Sequence, residues 1–278
     1  MKVIQVGDVQ IGGKHPLALI AGPCVIESEK DALLAAEIIK RISEEVQIGF
    51  IYKSSYKKDN RSSPTSYSGP GLKEGLRILN RVREEFEIPV LSDVHCQEEV
   101  HNASEILDVI QIPAYLSQQT ELTMGVGRTG KVVNVKKGQF IAPEDMKNVI
   151  GKIEHTGNEK ILITERGTCF GYHNLVVDMR SFPILREMGY PVIFDVTHTV
   201  RIYGRSSNDP AGGNPQFIPY LARAGVAAGS DGIFIETHPK PEDALCDGYS
   251  MLPISQLKNL LLQLQEIDHI VRKNSLQS

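Results

Sequence analysis

The chain has 278 residues, 41% hydrophobic and 23% charged, with 30 Lys+Arg against 34 Asp+Glu and a net charge of −4. That is enough apolar sequence for a large core without disulfide or zinc staples, and the mild acidity excludes a dedicated nucleic-acid binder, which carries a basic excess. No apolar run nears the roughly 18 residues of a membrane span and the N-terminus lacks a secretion-signal layout, so a soluble, cytoplasmic chain is expected.

The first predicted element is a hairpin. Runs 3–6 and 9–11 flank the turn dipeptide Gly7-Asp8, and residues 1–14 are read as a cap on the floor of a barrel. Eight apolar, β-branched runs then recur at 17–22, 50–53, 90–93, 109–112, 132–135, 161–164, 192–196 and 232–235. Helical spacing falls between and after them, as in Leu34, Ile38 and Ile42, in Met146, Val149, Ile150 and Ile153, and in Leu257, Leu260, Leu261, Leu264 and Val271. Near-continuous apolar strands alternating with amphipathic helices predict a parallel sheet clothed by helices. Eight such units in this length fit one closed (β/α)8 TIM barrel over 1–278, in preference to a Rossmann-like open sheet with a small second domain.

Two long loops, 56–71 and 201–215, are rich in Gly, Ser and Asn and carry arginines; loops of this length in a barrel are usually functional. The stretch Gly125-Val126-Gly127-Arg128-Thr129-Gly130 matches the dinucleotide-binding glycine pattern by letter. That motif needs a strand before it and a helix after it, whereas here the order is reversed, so it reads as a helix-to-strand turn. The four cysteines, at 24, 96, 169 and 246, lie 72, 73 and 77 positions apart, which excludes zinc-finger spacing and predicts reduced thiols.

Active sites of such barrels lie at the C-terminal strand ends. In order, those ends present Cys24; Lys53, Ser55 and Lys58; Asp93 and His95; Gln111; Lys137 and Gln139; Glu165 and Arg166; Asp195 and His198; and Glu236 and His238. Solubility alone explains such a ring poorly, because a barrel mouth is partly enclosed. Two chemistries emerge. Cys24, His198, Glu236 and Asp247 offer thiolate, imidazole and carboxylate donors to a divalent metal, and barrel closure is what would bring them together. Lys53, Lys58, Arg61, Lys137 and Arg166 would repel one another unless anions occupied the pocket. Lys57 and Lys136 are read as outward-facing, solvated lysines. The residues alone therefore predict a barrel enzyme that binds two anionic substrates beside a metal.

These residues fall within longer motifs. Ala21-Gly22-Pro23-Cys24-Val25-Ile26-Glu27-Ser28 resembles the first-strand motif of the 3-deoxy-aldulosonate-phosphate synthases. Lys53-Ser54-Ser55-Tyr56-Lys57-Lys58-Asp59-Asn60-Arg61-Ser62-Ser63 resembles the second-strand motif of the branch that makes 3-deoxy-D-manno-octulosonate 8-phosphate. Matches at Gln111-Ile112-Pro113-Ala114, Lys136-Lys137-Gly138-Gln139, Thr164-Glu165-Arg166-Gly167, Asp195-Val196-Thr197-His198 and Glu236-Thr237-His238-Pro239 extend the resemblance over nearly the whole chain.

The resemblance implies condensation of phosphoenolpyruvate with arabinose 5-phosphate and water in lipopolysaccharide (Kdo) biosynthesis, by a homotetramer. It implies that Lys58, Lys137, Arg166, Gln139 and Ser55 hold phosphoenolpyruvate. Asn60 would contact the sugar C2 hydroxyl, and Arg61 with Ser62 its phosphate, partly across a subunit boundary. Lys53, Asp93 and Gln111 would complete the substrate set, with His198 and Asp247 catalytic. Cys24, rather than the Asn of metal-independent members, implies a metal-dependent enzyme that uses zinc, iron, manganese or cadmium. The sister branch, which takes erythrose 4-phosphate, typically carries Lys-Pro-Arg-Thr where this chain has Lys58-Asp59-Asn60-Arg61. Two other readings remain open: a Schiff-base aldolase with Lys53 or Lys137 as nucleophile, and a non-catalytic sugar-phosphate sensor. Asp59 departs from the expected small residue, Tyr115 and Gln118 are candidates for the sugar-phosphate end, and loop 201–215 is read as a lid.

Overall fold

Ile4–Val6 (β1) and Val9–Ile11 (β2) pair antiparallel around Gly7, whose φ of 54° makes the tight turn. The barrel follows as Ala18–Gly22 (β3), Glu29–Glu45 (α1), Gly49–Lys53 (β4), Leu72–Phe86 (α2), Val90–Asp93 (β5), Gln97–Ile106 (α3), Val109–Ile112 (β6) and Thr120–Arg128 (α4). It continues as Val132–Lys136 (β7), Met146–Glu154 (α5), Ile161–Glu165 (β8), Ser181–Arg186 (α6), Val192–Asp195 (β9), Val196–Thr199 (α7), Ile218–Ala227 (α8) and Gly232–His238 (β10). The two-residue strand Leu252–Pro253 (β11) and the long Ile254–Ser275 (α9) complete it. This computed structural model describes residues 1–61, 63–202, 204–205 and 209–275, without the side chains of 274 and 275.

Strands β3 to β10 pair in parallel in chain order, and β10 also pairs with β3. That last pairing closes the ring, giving the expected TIM barrel and excluding the open-sheet alternative. All eight predicted runs are strands. Several ends shift by one to three residues, and two of the shifts have an evident local reason. β9 stops at Asp195 because its carboxylate accepts the backbone N–H groups of Thr197 and His198 and caps the short α7. β10 runs on to His238 because Thr237 and His238 find partners in β11.

The period-two alternation of the strands sorts side chains into two cores. One face packs against the helices, as with Leu19, Phe50, Val133, Ile163 and Phe194. The other points into the barrel, where Ala18, Ile20, Ile51, Leu91, Val109, Val132, Leu162, Ile193 and Phe234 form one apolar layer with Ile4, Val6, Val9 and Ile11 of the hairpin. The hairpin therefore plugs the barrel floor with its inner face, as expected. Two residues further along, the inward positions of seven strands become polar, as Lys53, Asp93, Gln111, Asn134, Thr164, Asp195 and Glu236, all buried, while β3 has Gly22 there. The glycine decoy lies where α4 runs into β7, with Gly130 turning at φ 68°. A Cβ on Gly125 or Gly127 would come within 2.2 Å of Gln97 or 2.6 Å of Thr156, so these glycines serve close helix packing. Among the described residues no helix is long and apolar enough to cross a membrane.

Because Ile11 is fully buried in the floor plug, Ile11→Ala is expected to cost about 2–5 kcal/mol. Its thermal midpoint should drop clearly below that of the parent; an unchanged midpoint would mean that the hairpin is dispensable to the barrel.

Candidate active site

Above the polar layer a cavity of about 150 Å³ opens at the C-terminal strand ends. Lys58, Asp93, Gln111, Lys136, Gln139, Arg166 and His198 line it, with Asp59, Asn60 and Tyr115 at the rim. Its base is a hydrogen-bonded belt. Thr164 Oγ1 donates to Asn134 Oδ1 at 2.6 Å, Asn134 Nδ2 to Gln111 Oε1 at 2.8 Å, and Gln111 Nε2 and Ser55 Oγ both donate to Asp93. The belt fixes the amide of Gln111 and leaves Asp93 facing the Lys58 ammonium at 3.7 Å.

Lys58 is held by its loop. Its backbone N–H donates to the Ser68 carbonyl at 2.7 Å, and the Gly71 N–H returns to the Tyr56 carbonyl at 3.0 Å. The Tyr56 hydroxyl is anchored on Glu99 at 2.8 Å. Burial works against the charge of Lys58, but Cys24, Glu236 and Asp93 outweigh it and hold the ammonium well above its ordinary range. Asp59, the departure from the expected pattern, turns to Lys57 at 3.1 Å and is largely exposed.

Strand parity corrects one expectation. In β7 the inward positions are Val132, Asn134 and Lys136, so Lys136 enters the cavity and Lys137 does not. Lys136 Nζ lies 2.6 Å from Asp195 Oδ2 and 3.3 Å from His198 Nδ1. Lys137 points outward, where its Nζ meets the Gly138, Ile141 and Gly167 carbonyls and, at 3.6 Å, Glu165. The solvated reading of Lys136 is corrected with it, since that side chain is buried. Arg166, inward after Leu162 and Thr164, reaches the cavity as expected.

Lys53 is inward but lower than expected. Its Nζ donates to Glu236 Oε1 at 2.8 Å and to the Cys24 carbonyl at 3.1 Å beneath the cavity. Neither lysine considered for a Schiff base thus lines the cavity. Gln118 lies outside it as well, its carbonyl accepting from Lys152. Ser62 falls outside the described residues, as do 203 and 206–208 of the loop read as a lid.

The donor set converges. His198, Glu236 and Asp247 offer one atom each within 4.8 Å of one another, and so do Cys24, Cys246 and Asp247. His198 Nδ1 lies 2.7 Å from Asp195 Oδ2, which leaves Nε2 toward Glu236 at 3.8 Å. A carboxylate behind the imidazole is the usual support of a metal-binding histidine. Burial lowers the pKa of His198, against the pull of Asp195, and so favours the neutral ligand form. Glu236 stays ionised, because Lys53, His198 and Lys58 overcome its burial. Among the described residues its buried Oε2 has no hydrogen-bond partner, and a cation would satisfy it. Burial raises the Cys24 thiol well above its ordinary value, while the hydrogen bond from Cys24 lowers Cys246 to about 7. Arg201, which closes on Asp247 as an ion pair, and Cys246 were not singled out from the sequence as site residues. Nothing in their spacing marks them; only the fold brings the 201 and 246 segments together.

Residues 1–273 match the DAHP synthetase I family. The chain belongs to that family. Within it, the chain is 56% identical over 270 residues to the 2-dehydro-3-deoxyphosphooctonate aldolase of Geobacter sp. (strain M21), covering 97% of this chain and 98% of the relative. It is 54% identical over 269 residues to the protein of that name from Geobacter sulfurreducens, with the same coverage. The like-named Syntrophotalea carbinolica protein is 51% identical over 272 residues, 98% of both chains. The DAHP synthetase I family thus accounts for nearly the full length, including every strand end that lines the cavity.

The electrostatics set the pH response of the fold. Asp93, Asp195 and Glu236 titrate below their ordinary values once the neighbouring cations have overcome burial, and His198 lies below its own through burial. Each binds protons less readily folded than unfolded, so each contribution is complete above the unfolded pKa and lost as pH falls through the folded one. Asp231, raised by burial, acts the other way, one carboxyl against three. Thermal midpoints should hold level near neutrality and fall on acidification, with loss beginning below about 6.5 for His198 and below about 4 for the carboxylates. A midpoint that climbs from neutrality into the acid range would contradict this.

Proposed function

We propose that the chain condenses phosphoenolpyruvate with D-arabinose 5-phosphate and water, giving 3-deoxy-D-manno-octulosonate 8-phosphate and inorganic phosphate. The observation that carries this reading is the likeness, above 50% over nearly full length, to relatives named 2-dehydro-3-deoxyphosphooctonate aldolase. The cavity chemistry supports it. In this reading Lys58, Lys136 and Arg166, with Gln139, take the phosphate and carboxylate of phosphoenolpyruvate. Lys136 replaces Lys137 in the set drawn from the resemblance, on the strength of its inward position. Asn60 at the rim takes a sugar hydroxyl, and Arg61 with Ser62 takes the sugar phosphate. Asp93, Gln111 and Ser55 hold the floor on which these groups stand, while Lys53 keeps Glu236 ionised.

C3 of phosphoenolpyruvate attacks the aldehyde carbon to form the new C–C bond; water then adds at C2, and the C2–O bond breaks to release phosphate. The fixed ammonium and guanidinium groups offset repulsion between two dianions and position them for attack. Cys24, His198, Glu236 and Asp247 fit a divalent metal ion, a donor set that suits zinc, iron, manganese or cadmium. When bound, it supplies Lewis-acid polarisation of the aldehyde or the water. Burial favours neutral His198 against the pull of Asp195, which orients its ring, and an Asp247 carboxylate oxygen lies 3.6 Å from the Cys24 sulfur. The same proposal includes a homotetramer, a cytoplasmic setting and a single barrel domain over 1–278.

Phosphate release is expected from phosphoenolpyruvate with arabinose 5-phosphate, with erythrose 4-phosphate a poor substitute. A chelator should abolish it and an added divalent metal restore it. Release only with erythrose 4-phosphate would overturn the reading. Both variants, Lys136→Gln and Lys137→Gln, should lose stability by about 3–5 kcal/mol, because the first leaves Asp195, and the second Glu165, buried without its ammonium partner. Only Lys136→Gln should also cut turnover per folded molecule, roughly a hundredfold or more. The reverse pattern would restore Lys137 to the substrate set.

A further inference from the structure

Cys246 stands in the turn between β10 and β11, yet it is fully buried. Its sulfur lies 3.2 Å from that of Cys24, and a carboxylate oxygen of Asp247 completes a group within 4.8 Å. Asp247 also belongs to the group with His198 and Glu236. The two groups therefore form one cluster of five donors that share Asp247, and among the described residues Glu236 Oε2 has no hydrogen-bond partner.

The backbone explains how adjacent residues reach one cluster. In an extended segment neighbouring side chains point to opposite sides. Asp247 instead takes a left-handed φ of 53°, a conformation that Asp tolerates, and Cys246 and Asp247 both face Cys24. The turn is also tightly fixed, since a Cβ on Gly248 would come within 2.0 Å of the Pro241 carbonyl oxygen. Val25 and Met251 pack around the two sulfurs as an apolar wall. An inert core thiol would be surrounded on all sides by such groups. Cys246 has them on one side only; the other holds Cys24, Asp247 and the Arg61 guanidinium, whose Nη1 lies 2.8 Å from its sulfur.

We propose that Cys246 is a second thiolate ligand of the metal centre. This inference rests on the metal site proposed for Cys24, His198, Glu236 and Asp247. Each thiol that binds loses its S–H proton to the buffer and gains an S–metal bond. Two thiolates bias the centre toward softer ions such as Cd²⁺ and Zn²⁺ over Mn²⁺ or Mg²⁺.

X-ray absorption on the unmodified protein loaded with Cd²⁺ tests this without any variant: two sulfurs in the first shell are expected. Ultraviolet sulfur-to-cadmium absorption should fall by roughly half in Cys246→Ser and likewise in Cys24→Ser, each loaded to saturation, as one of two thiolates is lost. A single sulfur in the parent, with absorption unchanged in Cys246→Ser and halved or lost in Cys24→Ser, overturns the role of Cys246 and leaves the metal site standing. No cadmium bound through sulfur in the parent overturns both.

Discussion

Everything at this site depends on one pairing, the parallel register of β10 against β3 that closes the barrel. Glu236 stands opposite Gly22 in that register, and the chain then turns so that Cys24 and residues 246–247 meet more than two hundred positions apart. On its other side β3 lies against β4, and a Cβ on Gly22 would sit 2.0 Å from the Lys53 carbonyl oxygen. Without closure, Cys24 and Lys53 would stand at one edge of a sheet and Glu236 at the other. With it, thiol, carboxylate and ammonium groups share one buried volume.

Charge within that volume is tolerated because it is paired. Lys53 rests on Glu236 and Lys136 on Asp195, each within 2.8 Å, and the apolar plug below excludes water. Removing one member of such a pair leaves the other buried and uncompensated, which costs far more than the pair contributes. Asp195 shows how much one residue carries. It ends β9, caps α7, orients His198 and neutralises Lys136. The modest overall charge of −4 thus conceals a barrel mouth where Lys58, Lys136 and Arg166 gather.

Much of this was legible in the residues. The eight strand runs, the floor hairpin and the false glycine motif follow from periodicity and turn chemistry, which are local. Cys24, His198, Glu236 and Asp247 could be named as one set only by assuming closure. The choice between Lys136 and Lys137 was also within reach. Counting by twos from Val132 passes through Asn134 to Lys136, and the same count on β8 passes from Leu162 through Thr164 to Arg166. Strand ends alone cannot make that distinction, because neighbouring residues at an end face opposite sides. The depth of Lys53 was not legible, since an inward lysine can serve substrate or a buried carboxylate equally well. Cys246 and Arg201 lay beyond reach for another reason: their places depend on loop geometry, which carries no period.

Closure thus brings sulfur, imidazole and carboxylate donors beside a pocket of inward cations to which Lys136 belongs. A crystal structure of the protein with cadmium and phosphoenolpyruvate tests it most directly, through the anomalous signal of the metal and the density of the ligand. Metal is expected among Cys24, His198, Glu236 and Asp247, with phosphoenolpyruvate anions against Lys136 and Arg166. Metal bound elsewhere, or ligand held by Lys137 on the outer face of the barrel, would contradict it.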